Sequence, residues 1–156
     1  MKKSTLIAVL LFISFFAFSQ NEKTVVGEFC YYEQIDGQKS SGEAMPYTYH
    51  SRLELKFKSD YQISVKDMAG FANIIKTYST QTTSSKVLLG EYKPETIAKG
   101  TKVADVKNSL KVYWDGKNLI LEIPELTDMF GGATAANHTI FIPKECISKL
   151  VDCLKK

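Results

Sequence analysis

The fold is decided by residues 110–121, which have the sequence LKVYWDGKNLIL. Apolar and polar side chains alternate on both sides of Asp115 and Gly116, and an Asp-Gly pair favours the tight two-residue turn of a β-hairpin. With that turn, three cross-strand pairs share one face: Trp114 with Lys117, Val112 with Leu119, and Leu110 with Leu121. The segment therefore predicts an antiparallel hairpin that buries one face against a core.

Residues 52–66 predict a second hairpin of the same kind. Leu53, Leu55 and Phe57 alternate with charged side chains, and a second apolar alternation follows a short turn. Further strands are predicted at residues 24–35, 86–93, 102–106 and 139–142. The segments rich in Ser, Thr, Gly and Lys predict exposed loops at residues 36–46 and 79–86. The longest predicted loop, a candidate mobile lid or rim, covers residues 124–137.

Two helices are predicted between and after these strands. A short helix follows a possible cap at Asp67, because apolar residues recur at helical spacing at Met68, Phe71, Ala72 and Ile75. A C-terminal helix is predicted to start at Pro143. On a helical wheel it places six apolar side chains in one arc: Cys146, Ile147, Leu150, Val151, Cys153 and Leu154.

These elements predict a mainly β fold, either a small antiparallel β-barrel or a two-layer β domain, with a C-terminal amphipathic helix. Residues 20–156 are expected to form this single β-rich domain. The preceding segment, residues 1–19, is predicted to be a signal peptide, because Lys2 and Lys3 precede an apolar run and Ala17 and Ser19 fit the cleavage rule.

The signal peptide predicts an exported protein of the periplasm or the extracellular medium, and its Phe-rich composition is typical of bacteria. No transmembrane segment is expected in the mature chain. The 20 basic and 17 acidic side chains give a net charge of +3, and Lys2 and Lys3 leave with the signal peptide. The mature chain is therefore close to neutral, which argues against a nucleic-acid partner.

The three cysteines predict a disulfide in an exported chain. Cys146 and Cys153 lie about 10.5 Å apart along one predicted helix, which is too far for them to pair with each other. Cys30, on the first predicted strand, is expected to bond with Cys146 or Cys153. Three buried thiols and an intermolecular bond are the alternatives that the sequence leaves open.

The sequence contains no established metal or catalytic motif. Its two histidines, His50 and His138, are far apart, and no Cys-x-x-Cys or His-Glu-x-x-His spacing occurs. No Gly-x-Ser-x-Gly turn is present either. We therefore expect no metal and no cofactor, and we assign no catalytic residue. Four acidic residues that could serve in glycoside hydrolysis are scattered along the chain: Glu91, Glu122, Glu125 and Asp128.

The densest aromatic cluster of the mature chain is a candidate contact surface. It comprises Tyr31, Tyr32, Tyr47 and Tyr49, and tyrosine combines an apolar ring with a polar tip that suits binding surfaces. Together with Trp114, the single tryptophan, these residues are the predicted ligand or partner contacts. Core packing is the alternative role for each of them.

Three segments resemble bacterial lipocalin-like domains: residues 25–29 (VVGEF), 53–65 and 89–92 (LGEY). They supply an early Gly-x-aromatic pattern, a strand pair and a later Gly-x-Tyr strand. Phe29 stands where such domains usually have Trp. The resemblance implies an interior cavity for a small apolar ligand.

Three functions follow from these observations. The first is an exported, non-enzymatic binding or interaction protein whose partner is another protein or an envelope polymer. The second is a lipocalin-like carrier of a small hydrophobic molecule, with Trp114 or tyrosines lining its cavity. The third is a small periplasmic hydrolase that uses His50 or His138 as a base.

Overall fold

The computed structural model describes residues 24–25, 27–35, 38–49, 52–104, 109–127, 133–134 and 138–156. The strands in chain order are β1 (Thr24–Val25), β2 (Phe29–Ile35), β3 (Gln38–Ala44), β4 (Tyr47–Tyr49), β5 (Arg52–Lys56), β6 (Tyr61–Val65), β7 (Val87–Tyr92), β8 (Thr96–Lys99), β9 (Lys102–Ala104), β10 (Leu110–Trp114), β11 (Asn118–Ile123), β12 (Leu126–Thr127), β13 (Ala133–Thr134) and β14 (His138–Pro143). The helices are α1 (Met68–Lys76), a 3₁₀ turn (Thr77–Thr80) and α2 (Lys144–Cys153).

The strands form two antiparallel sheets. One has eight strands in the order β1-β4-β5-β6-β8-β9-β12-β13, and the other has six in the order β3-β2-β14-β11-β10-β7. The chain passes from one sheet to the other repeatedly. Short passages of this kind join β3 to β4 through Met45 and Pro46, β7 to β8 through residues 93–95, and β11 to β12 through Pro124 and Glu125. Of the two predicted architectures, the mainly β, two-layer domain with a C-terminal helix is confirmed.

Both predicted helices are present. Helix α1 begins after Asp67, whose Oδ1 accepts a 2.8 Å hydrogen bond from the Gly70 amide, as expected of an N-cap. Helix α2 begins after Pro143 and buries its entire predicted apolar arc. One continuous core joins side chains from both sheets and both helices, among them Leu53, Ile63, Leu119, Ile140, Phe71 and Leu150.

The hairpin of residues 110–121 forms, but its predicted register is wrong by two residues. Val112 pairs with Leu121 and Trp114 with Leu119, so the connection is longer than the Asp115-Gly116 turn. The cause is the Asp115 side chain, whose Oδ1 accepts hydrogen bonds from the amides of Lys117 and Asn118 at 2.8 and 2.6 Å. A shift of two keeps the same side chains facing the core, because strand side chains alternate with a period of two.

Other boundaries also differ from the prediction. Residues 24–35 form two strands, β1 and β2, in different sheets. Residues 36–46 are not simply a loop, because β3 pairs with β2 along its whole length. Residues 79–86 include the end of the 3₁₀ turn before a loop. Of residues 124–137, the structure describes strands β12 and β13, and the predicted lid otherwise lies outside the described residues.

Gly100 and Gly116 allow the cost of adding a side chain to be compared in two turns that require glycine. Both have positive φ, 59° and 88°, but a Cβ on Gly116 would lie 2.4 Å from the Thr83 carbonyl oxygen, whereas Gly100 faces open space. We expect Gly100→Ala to lower the free energy of unfolding by about 1 kcal/mol, and Gly116→Ala by about 2 to 3 kcal/mol because the clash adds to the backbone strain. Urea unfolding of both variants measures the difference, and equal losses would show that the loop yields.

Candidate functional site

A cleft of about 380 Å³ lies where β7, β10 and β11 run side by side. Glu91, Lys111 and Glu122 occupy neighbouring strands in register, with Lys111 between the two glutamates. Lys111 is exposed while the next residue, Val112, is in the core, so the cleft opens on the outer face of the six-stranded sheet. The lining consists of Glu91, Ser109, Lys111, Glu122, Ile123, Pro124 and Glu125.

Two of the cleft's carboxylates are held by neighbouring donors. Ser109 Oγ donates a 2.7 Å hydrogen bond to Glu91 Oε2. Lys86 Nζ pairs with Glu122 Oε1 and lies 4.1 Å from the centre of the Tyr113 ring, a cation–π arrangement. Burial raises the pKa of Tyr113, and the nearby Glu122 and Glu91 act in the same direction. These contacts define the positions of the groups around Lys111.

The predicted aromatic cluster is divided between the core and the outer face. Tyr31, Tyr47 and Trp114 are buried, with exposed fractions of 3%, 8% and 3%. Tyr32 is half-buried and stacks on Phe141, with ring centres 4.7 Å apart. Tyr31 and Tyr32 point to opposite faces because they are adjacent in one strand. The side chain of Tyr49 lies outside the described residues, and a binding role for this set stays a prediction.

A second polar cluster is buried between the sheets. Glu33 on β2 accepts hydrogen bonds from the Ser59 amide at 3.0 Å, from Ser59 Oγ at 2.5 Å and from Ser40 Oγ at 3.5 Å, and its Oε2 lies 2.9 Å from His138 Nε2. The Tyr61 ring packs on the imidazole with centres 3.9 Å apart. Since Ser59 belongs to the turn between β5 and β6, this cluster links the two sheets.

The His138–Glu33 pair predicts a pH dependence of stability. Burial lowers the pKa of His138 below its usual 6.5, with Lys99 contributing in the same direction, and the opposing effect of Glu33 is smaller. The unfolded chain therefore binds more protons as the pH falls through this range. Stability that is complete above about pH 6.5 is expected to decline below it, by up to about 1.4 kcal/mol per pH unit.

Urea unfolding between about pH 7.5 and about pH 5.5 measures this decline. In His138→Gln the decline should be reduced, and His50 is present in both proteins, so its own titration does not explain a difference. An identical pH profile in the variant would show that His138 is not responsible.

A third polar cluster surrounds Glu54, which is buried although the alternation of β5 predicts an exposed position. It accepts hydrogen bonds from Arg52 Nε at 2.5 Å, Gln62 Nε2 at 2.6 Å and Ser64 Oγ at 2.6 Å. Glu54 in turn raises the pKa of Arg52. The network has the features of a structural ion pair, because its partners come from the paired strands β5 and β6.

The disulfide joins Cys30 to Cys146, with a Cα–Cα distance of 5.7 Å. This confirms one of the two predicted pairings and ties β2 to helix α2. Cys153 is a buried free thiol whose pKa is raised by burial, and its Sγ lies 2.7 Å from where a Cβ on Gly27 would sit. The spare thiol is thus packed in the core.

The described residues provide neither a cluster of metal ligands nor a helix that could span a membrane. These residues contain no group of three or more His, Cys, Asp or Glu side chains placed to hold a metal ion. None of the helices within the described ranges is long and apolar enough to cross a membrane. His50 and Asp128 lie outside the described residues, and His138 is enclosed between the sheets, away from solvent.

The cleft was not predicted from the sequence, although three of its residues were noted there. Glu91 lies on β7, whereas Glu122 and Glu125 lie at and just after the end of β11, so Glu91 meets the other two only when β7, β10 and β11 align. The alternating pattern predicts that Lys111 and Glu122 lie on the outer face of the sheet, but it does not predict which residues of other strands lie beside them. No protein-family model, curated protein or solved structure matches this chain.

Proposed function

We propose that the protein is an exported, non-enzymatic binding protein that engages an envelope polymer or a protein partner through the cleft of β7, β10 and β11. The observation that carries this proposal is the convergence of charged and hydroxyl side chains around a space of about 380 Å³. This size falls within the range of about 300 to 1,000 Å³ typical of ligand sites. Tyr31 and Trp114, by contrast, are enclosed by the core.

Export is supported by two independent features. Residues 1–19 have the pattern of a signal peptide. The Cys30–Cys146 disulfide is consistent with an oxidising compartment, since such bonds are rare in the reducing cytosol. A ligand of the cell envelope or the surrounding medium would be accessible to the protein there.

Native mass spectrometry of protein purified from its export compartment tests the proposal, together with co-sedimentation with isolated cell envelopes. We expect bound mass or co-sedimentation with the wild type, and its loss in Lys111→Glu, which reverses the charge at the centre of the cleft. Lys56→Glu is the matched control, because Lys56 is an exposed lysine on β5 of the other sheet. Equal retention by both variants would exclude the cleft as the binding site.

A lipocalin-like carrier is the second candidate, and the strand order favours it. The last strand, β14, pairs with β2, and β2 to β6 follow one another in chain order around one corner, with β2 and β3 in one sheet and β4, β5 and β6 in the other. Trp114 lies in the interior of this arrangement. Quenching of Trp114 fluorescence by a brominated fatty acid would support a carrier, and an unchanged spectrum would argue against one.

A further inference from the structure

Lys111 lies where two ion pairs are expected and forms neither. Lys111 lies on β10, and its cross-strand neighbours are Glu91 on β7 and Glu122 on β11. Opposite charges in such positions ordinarily attract. Ser109 instead binds Glu91, and Lys86 binds Glu122. Within the part of the chain that the structure describes, the Lys111 ammonium has no hydrogen-bond or ion-pair partner, so it is available to an anionic group in the cleft.

The cleft also presents an available carboxylate. Glu125 is exposed, and among the described residues it has no hydrogen-bond or ion-pair partner. Ser109 contacts one oxygen of Glu91 and leaves the other available. Ile123 and Pro124 supply an apolar stretch of wall in the same lining. One cleft therefore offers a cation, carboxylate oxygens and a short apolar surface.

We propose that the cleft binds a zwitterion, a small molecule or polymer segment that carries both a carboxylate and an ammonium group, as a short peptide does. Lys111 receives the carboxylate, and Glu125 with the available oxygen of Glu91 receives the ammonium. This inference rests on the proposed function of the cleft and adds the chemical class of the ligand.

The charges of the cleft favour a zwitterion over a ligand of one sign. A purely anionic ligand would meet Lys111 but also three carboxylates, those of Glu91, Glu122 and Glu125. A purely cationic ligand would be repelled by Lys111 and would compete with Lys86 for Glu122. A molecule with both charges satisfies the two available groups at once, and opposite charges placed this way also set its orientation.

Three related dipeptides test the proposal by NMR titration of the ¹⁵N-labelled full-length mature protein. The probes are alanyl-alanine, its N-acetyl derivative without the ammonium, and its C-terminal amide without the carboxylate. At about 10 mM probe, where complexes as weak as about 1 mM are detected, we expect alanyl-alanine to shift the amide signals of residues 109–111 and of Glu122, Ile123 and Glu125. Each blocked probe should bind at least about tenfold more weakly, because one charge-assisted contact is lost.

Two variants identify which group meets which charge. Lys111→Ala should remove the advantage of alanyl-alanine over its amide, and Glu125→Gln should reduce its advantage over the N-acetyl derivative. Lys56→Ala, an equal loss of charge on the other sheet, should leave all three affinities unchanged. The amide spectra report folding of every variant, so a loss of binding is separated from a loss of structure.

The outcomes separate this inference from the proposed function. Equal binding of all three dipeptides, or shifts outside the cleft, would overturn the zwitterion. If no dipeptide binds while maltose, a neutral sugar, shifts the cleft signals, the zwitterion is wrong and the cleft remains a binding site. If none of these probes shifts the cleft and Lys111→Glu keeps its envelope binding, both proposals are wrong.

Discussion

Replacing Glu33 with Ala should lower the free energy of unfolding by about 3 to 5 kcal/mol, the range expected when one partner of a buried charged cluster is removed. Glu33 is 1% exposed, and its carboxylate accepts the Ser59 amide and hydroxyl while contacting His138 Nε2. Without it, the partly buried Ser59 donors and the buried His138 lose their partner, which costs more than the hydrogen bonds themselves contribute. Urea unfolding at neutral pH measures the loss.

Two further variants refine this expectation. Glu33→Gln keeps the shape and one acceptor oxygen, so its loss should be smaller than that of Glu33→Ala. Glu43→Ala removes an exposed glutamate from the neighbouring strand β3 and should change stability by no more than about 0.5 kcal/mol. A loss below about 1 kcal/mol for Glu33→Ala would mean that the link between the sheets contributes little.

Removing the disulfide should have a comparable effect. Cys30 and Cys146 are separated by 116 residues, and closing a loop of that length stabilises the fold by about 4 to 5 kcal/mol in the chain-entropy model. The double variant Cys30→Ala/Cys146→Ala is therefore expected to unfold at a much lower urea concentration than the oxidised wild type. Reduction of the wild type should reproduce the effect.

Cys153→Ala is the control for the disulfide variants. It removes a buried thiol but leaves the Cys30–Cys146 bond intact, so we expect a smaller loss of about 1 kcal/mol from the packing defect. Peptide mapping without reductant should show the Cys30–Cys146 link in both the wild type and this control. A stability loss as large as that of the double variant would assign the stabilisation to packing around helix α2.

The success and failure of the sequence predictions have identifiable causes. The arc of helix α2 and the core face of β10 and β11 were predicted because neighbouring residues in the chain encode them. The register of that hairpin was not, since it depends on hydrogen bonds of the Asp115 side chain. Strand β3 was missed because its residues are polar and exposed, and its strand conformation comes from pairing with β2.

The burial of Glu54 and Glu33 also could not be predicted from the local sequence pattern. Glu54 occupies a polar position of an alternating pattern, which predicts exposure. It is buried because Arg52, Gln62 and Ser64 donate hydrogen bonds to its carboxylate. Glu33 is enclosed because the turn between β5 and β6 folds over it. Periodicity reports which residues share a face, and it contains no information about which distant segment will cover that face.

The sequence by itself determined the mainly β class, the two helices and the inward faces of the hairpins, and it excluded a bond between Cys146 and Cys153. These properties depend on local periodicity and on the length of a helix, which are fixed within a few residues of chain. Only the tertiary structure decided that Cys146 is the bonded thiol and that Glu33 meets His138. It also created the cleft around Lys111, because strands distant in sequence had to align before their charges became neighbours.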